Sequence, residues 1–198
     1  MTATETPEKS HFRQNLRREM IARRMALPDE THAALSAAVR ARLDEGFPAL
    51  AELIVGFCWP VQNEPDLRPF VSELIARGGR VVLPVVLRTD APLAFREWWP
   101  DQPLTPDRYS IPTPTDGDFL VPQALLLPVN AFDDANYRIG YGGGFFDRTL
   151  ASLSPRPLAI GIGFNFQRVE SICPQAHDLP LDAMVTESGI YRANCAND

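Results

Sequence analysis

The feature that most restricts this chain's fold is a series of short apolar runs, each of strand length. They lie at residues 53–57 (LIVGF), 80–86 (RVVLPVV), 124–127 (ALLL), 158–164 (LAIGIGF) and 183–186 (AMVT). Runs without polar alternation are what a strand shows when both faces are covered, the usual state of a parallel sheet. Between the first two lies a helical stretch at residues 67–76, closed by Gly78-Gly79. Strand, helix and strand in that order make a βαβ unit. With 198 residues, 45% of them hydrophobic, the chain has enough apolar side chains for one good core. The reading is an α/β fold, a three-layer sandwich around a mostly parallel sheet.

Residues 1–8 read as a disordered tail, and residues 9–198 as a single α/β domain. Phe12, Leu16 and Met20 fall at i, i+4 and i+8, so residues 9–25 are predicted helical. Pro28-Asp29 interrupts, and Asp29 is placed to cap a second helix ending near residue 45, which completes an N-terminal helical hairpin. Residues 87–119 are rich in proline and aspartate and form an excursion, with a short strand expected at 93–98. A last helix is expected to begin near Gly144. No internal repeat or low-complexity block is present. Ligands of such folds collect beyond the carboxyl ends of the strands, which singles out the loops after Phe57, Leu127 and Phe164.

Nineteen Lys and Arg against 25 Asp and Glu give a net charge of -6. That balance argues against a nucleic-acid partner, which calls for a basic footprint. No segment approaches the roughly 18 apolar residues of a membrane span. The opening MTATETPEKSHF has no apolar core of a secretory signal. Cys58, Cys173 and Cys195 are scattered, without metal-ligand spacing, and read as reduced thiols. A cytoplasmic protein, monomeric rather than oligomeric, is expected.

The most informative segment is Arg138-Ile139-Gly140-Tyr141-Gly142-Gly143-Gly144-Phe145-Phe146-Asp147-Arg148. Four glycines in five positions remove side chains and permit positive φ, so backbone N–H groups can converge on an anion. The N-terminus of the helix that follows adds positive potential. Arg138 and Arg148 suit phosphate geometry, and Asp147 is placed to hold Mg²⁺. A P-loop would need Gly-Lys-Ser/Thr here, and a dinucleotide fingerprint would follow the first strand. A tight structural turn is the alternative to phosphate binding.

The run Leu127-Pro128-Val129-Asn130-Ala131-Phe132-Asp133, followed by Arg138 to Arg148, resembles the signature of the 5-formyltetrahydrofolate cyclo-ligase (methenyltetrahydrofolate synthetase) family. The resemblance extends over residues 13–191. It implies ATP as co-substrate, Mg²⁺ as metal and a folate as substrate, with cyclisation of 5-formyltetrahydrofolate to 5,10-methenyltetrahydrofolate through a phosphorylated formyl group.

Residue roles follow from the resemblance. Arg13 and Arg17 would reach ATP with Arg138, Ile139, Gly140, Tyr141, Gly142, Gly143, Gly144, Phe145 and Phe146. Trp59, Glu64, Tyr109, Tyr141 and Phe145 would contact the folate, while Asp147 and Asp178 would hold the metal. Like charges at i, i+4 and cations in a first turn oppose a helix, so an anionic partner for Arg13 and Arg17 would offset both costs, although a solvated basic face is the alternative. His177 is assigned to structure, and Trp98 and Trp99 to packing. Two departures stand out: Phe145-Phe146 replaces the family's Tyr-Tyr, and Tyr141 stands where some members carry a basic residue. The first favours one rival reading, a binding relative without turnover; a second rival is a sugar-phosphate isomerase on a similar scaffold, which would use the turn for substrate phosphate.

Overall fold

The computed structural model describes residues 7–193. Of the tail expected over residues 1–8, residues 1–6 lie outside the described residues, as does Cys195. Pro7 and Glu8 already belong to the first helix, α1 (Pro7–Met25). The second helix, α2 (Asp29–Gly46), follows after a short turn. Its N-cap is Pro28, and Asp29 makes no capping hydrogen bond. Asp29 and Glu30 instead lie in the first turn, where their charge favours the helix dipole.

The sheet strands are β1 (Ile54–Phe57), β2 (Arg80–Val85), β3 (Ala94–Trp98), β6 (Ala124–Pro128), β9 (Leu158–Ile162), β10 (Ala183–Thr186) and β11 (Gly189–Arg192). They form one seven-stranded sheet in the order β11-β10-β9-β6-β1-β2-β3. The five apolar runs pair in parallel at its centre, and only the edge strands β3 and β11 run antiparallel. Helix α3 (Arg68–Ala76) crosses from β1 to β2. Two small ribbons complete the chain: β4 (Leu104–Pro106) with β5 (Pro112–Pro114), and β7 (Ala131–Phe132) with β8 (Arg138–Ile139). Helix α4 (Phe145–Ser152) starts directly after the glycines.

Strand residues alternate between two cores, as period-2 geometry requires. Val55, Val81, Leu126, Ile160 and Val185 pack with Val39 and Leu43 of α2 and Phe70 and Leu74 of α3. On the other face Val82, Leu125, Ala159 and Met184 pack with Leu150 of α4 and Phe132. Helices therefore cover both faces, which explains the unbroken apolar runs. Helix α1 sits apart: Leu16 and Met20 meet Ala131, Ile139 and Ile172, while Phe12 at the same helical spacing is exposed. The described residues contain no helix long and apolar enough to cross a membrane.

Candidate functional site

A cleft of about 870 Å³ opens at the carboxyl ends of β1 and β2. All of the candidate residues line it except Ile139, and Arg148, which flanks the turn, does not line it either. The Ile139 side chain is fully buried in the α1 core, and its carbonyl accepts the Asn130 N–H at 2.8 Å. Position 139 belongs to a strand whose inward face points away from the cleft. Of the three loops singled out by fold geometry, those after Phe57 and Leu127 contribute walls, and the loop after Phe164 does not. That loop is occupied structurally: Gln167 is buried and donates to the Val129 and Asn130 carbonyls at 2.8 and 3.1 Å.

The glycine-rich turn forms one wall. Gly142 (φ 91°) and Gly144 (φ 64°) take the left-handed backbone that a side chain would strain. None of the amides at 140–144 donates to another described residue, so the turn keeps a row of free N–H donors beside the start of α4. Its carbonyls are the gripped groups. Arg17 Nε donates to Gly140 O at 2.6 Å, and Arg148 Nη2 donates to Gly143 O at 2.7 Å and Thr89 O at 3.2 Å.

Arg17 is a cation without an ion-pairing carboxylate among the described residues. Burial, and after it the neighbouring Arg13, holds its guanidinium below the usual range. Arg13 is paired with Asp178 at 2.5 and 3.2 Å, and Arg138 with Asp147 at 3.1 Å. Burial also lowers Arg138, opposed by the charges of Asp147 and Asp178. Three guanidiniums against two carboxylates leave this end of the cleft with a surplus positive charge, the condition under which a polyanion is attracted.

Asp147 and Asp178 thus stand near each other but in ion pairs. Among the described residues no three His, Cys, Asp or Glu side chains converge on one point. Such a donor set suits an ion that takes one or two carboxylates and completes its shell with water and phosphate oxygens, as Mg²⁺ does. His177, assigned above to structure, is instead an exposed residue on the cleft rim.

Aromatic side chains also line the cleft. Asp107 Oδ1 accepts the N–H groups of Tyr109 and Ile111 and folds the β4–β5 turn, which sets Tyr109 edge-on against Phe145 at 6.0 Å. Trp59 also lines the cleft and packs edge-on against the buried Trp98. Trp98 is core, as expected, while Trp99 is exposed.

Glu64 closes the floor. Only 3% exposed, its carboxylate accepts the Tyr141 hydroxyl at 2.5 Å and the Val61 N–H at 3.0 Å. Burial pushes its carboxyl up; the Arg24 charge, the Tyr141 hydroxyl and the Val61 N–H pull it back. Arg24 was not among the candidates from sequence. The signal was available: Arg13, Arg17, Met20 and Arg24 fall at i, i+4, i+7 and i+11 on one helix stripe.

A phosphate-suited turn, a surplus of guanidinium and an aromatic wall over a buried carboxylate share one cleft. Comparisons with known proteins bear on the chain as a whole. The model of the 5-formyltetrahydrofolate cyclo-ligase family matches residues 9–187. The 5-formyltetrahydrofolate cyclo-ligase of Escherichia coli is 31% identical over 176 residues, covering 85% of this chain and 97% of that protein. Its Mycolicibacterium smegmatis counterpart is 27% identical over 184 residues, covering 86% and 91%. The solved 5,10-methenyltetrahydrofolate synthetase of Aquifex aeolicus superposes with a TM-score of 0.82 at 26% identity, covering 94% of this chain and 95% of that one. On matches spanning nearly the whole chain, in sequence and in fold, this protein belongs to the 5-formyltetrahydrofolate cyclo-ligase family.

Proposed function

We propose that this chain is an enzyme that cyclises 5-formyltetrahydrofolate to 5,10-methenyltetrahydrofolate, consuming ATP with Mg²⁺ bound. The observation that carries this reading is the convergence on one cleft of residues from 13 to 178, among them guanidinium groups, the glycine-rich turn, aromatic rings and the buried Glu64 carboxylate. A formamide carbonyl is a poor electrophile, because its nitrogen lone pair is delocalised into it. Transfer of the terminal phosphoryl group of ATP to the formyl oxygen releases ADP and turns that oxygen into a leaving group. N10 then attacks the formyl carbon, the C–O bond breaks, phosphate departs and the N10 proton is lost.

The protein's part is positioning and charge neutralisation. The amides of residues 140–144 with Arg17, Arg13 and Arg138 hold phosphate oxygens. Phe145, Tyr109 and Trp59 bracket the flat ring, whose N–H edge meets Glu64. Asp147 and Asp178 hold Mg²⁺, which when bound neutralises charge on the phosphates. Arg13 and Arg138, which pair with these carboxylates, would turn to the phosphate oxygens if the carboxylates took up the metal. No side-chain nucleophile is needed.

The test is absorbance in the methenyl band after mixing protein, 5-formyltetrahydrofolate, Mg²⁺ and ATP. A rise that depends on ATP supports the reading. A flat trace with tight folate binding selects the binding relative without turnover, and activity without ATP selects a different enzyme.

A further inference from the structure

Arg24 has the most completely buried charge among the described residues, at 0% exposure. Its guanidinium reaches three separate segments. Nε donates to the Gln62 carbonyl at 2.7 Å, Nη1 to the Val129 carbonyl at 3.4 Å and Nη2 to the Tyr141 hydroxyl at 2.8 Å. Nη2 also stands 3.7 Å from Glu64 Oε1, the atom that accepts the Tyr141 hydroxyl hydrogen bond. The gripped turn is itself strained: Gln62 and Asn63 both take positive φ, 50° and 55°. Two successive non-glycine residues in that region are disfavoured and persist only where surroundings hold them.

A buried ion pair of this kind is poorly explained by stability, since well-packed apolar groups commonly do as well or better. What the arrangement does secure is the direction and charge of one carboxylate on the cleft floor. We propose that Arg24 is a positioning residue which, with Tyr141, holds Glu64 as an ionised hydrogen-bond acceptor for the N–H edge of the bound ring. The inference rests on the folate reading above and deepens it.

The charged and titratable groups facing Glu64 come from every element around it. They are Arg24 from α1, His32 from α2 (Nε2 2.9 Å from the Glu64 carbonyl oxygen), Cys58 at the end of β1, and Tyr141 from the glycine-rich turn. Burial alone favours the protonated carboxyl, which would donate where it must accept; Arg24 first and Tyr141 next oppose this. Protonation therefore removes the acceptor, and loss of either partner moves that event to higher pH.

The experiment is calorimetric titration of the intact chain with 5-formyltetrahydrofolate, without ATP, from about pH 5.5 to about pH 8.5. Wild type should bind more weakly toward acid. Tyr141→Phe, which keeps the ring and removes one donor, should bind about tenfold more weakly than wild type near pH 6 and approach it near pH 8.5. Arg24→Met should move the acid limb further in the same direction. Glu64→Gln should bind weakly and without that limb, which separates Glu64 from His32 and from the ligand's own carboxylates. Should Arg24→Met fail to fold, the Arg24→Met/Glu64→Gln double variant, which removes both charges, is expected to fold and bind as Glu64→Gln does. An unchanged pH profile in Tyr141→Phe, or an acid limb surviving in Glu64→Gln, overturns the inference. Absence of binding by wild type at every pH overturns the folate reading itself.

Discussion

Replacing Gly142 by alanine isolates the geometry of the proposed phosphate wall from its chemistry. Gly142 has φ 91°, outside the comfortable range of any residue with a Cβ. A Cβ there would also lie 3.2 Å from Arg17 Nη2 and 3.3 Å from Cζ. Arg17 has little freedom to yield, because its Nε is bonded to Gly140 O at 2.6 Å. The backbone strain amounts to about 1–2 kcal/mol, and a chain of this size loses about 2–4 °C of melting temperature per kcal/mol. The turn can escape the strain only by flattening, which turns its amides and Arg17 away from each other. Gly142→Ala should therefore melt roughly 2–8 °C lower and show a KM for ATP raised about tenfold, equivalent to 1.4 kcal/mol. KM for 5-formyltetrahydrofolate should change far less. Gly140→Ala is the internal control, since Gly140 has no positive φ and a Cβ there meets nothing within 4 Å. Its melt should match wild type. Thermal melts and ATP titrations of both variants decide the matter: a Gly142→Ala protein with wild-type melting and wild-type KM for ATP refutes the argument.

Two further outcomes are expected. Asp147→Asn removes the counter-charge of the buried Arg138, so it should lower stability by about 1.5–3 kcal/mol as well as raise the Mg²⁺ concentration needed for half-maximal turnover; a normal metal titration would remove Asp147 from the metal site. Asp66 shows the opposite balance to Glu64: burial raises its carboxyl, but the Arg68 hydrogen bonds outweigh that, and its folded pKa lies below the unfolded one. Its stabilisation is present above the unfolded carboxylate range and lost as pH falls through the folded value, so Asp66→Asn should narrow the gap between acid and neutral melting temperatures.

Much of the fold was legible because burial on both sheet faces leaves a direct trace in composition. The five apolar runs correspond to β1, β2, β6, β9 and β10, with ends displaced by at most two residues. Elements with one open face or two residues left weaker traces. β11 mixes Gly189, Ile190, Tyr191 and Arg192 at the edge of the sheet and was not anticipated. The β7–β8 ribbon lies inside a segment read as loop and turn, since Ala131–Phe132 and Arg138–Ile139 are too short to show a period. Strand order is decided by long-range pairing, which no local pattern encodes.

The site divides along the same line. Glycines at 142 and 144 advertise a backbone need, and their positive φ matches it. Ile139 was carried into the site by its neighbours, yet the alternation of β8 turns it into the core. Arg24 was passed over because its partners, Gln62, Glu64, Val129 and Tyr141, lie 38 to 117 residues away. Its charge reads as a solvated helix face until the fold supplies them.

The central claim, that the amides of residues 140–144 receive the phosphates of a nucleotide, is tested most directly by amide NMR of the labelled chain titrated with Mg²⁺ and a non-hydrolysable ATP analogue. The largest shifts should fall on residues 140–146 and on the Arg13 and Arg17 side chains, saturating together. Saturable binding that leaves those amides unmoved while shifting another surface would contradict it.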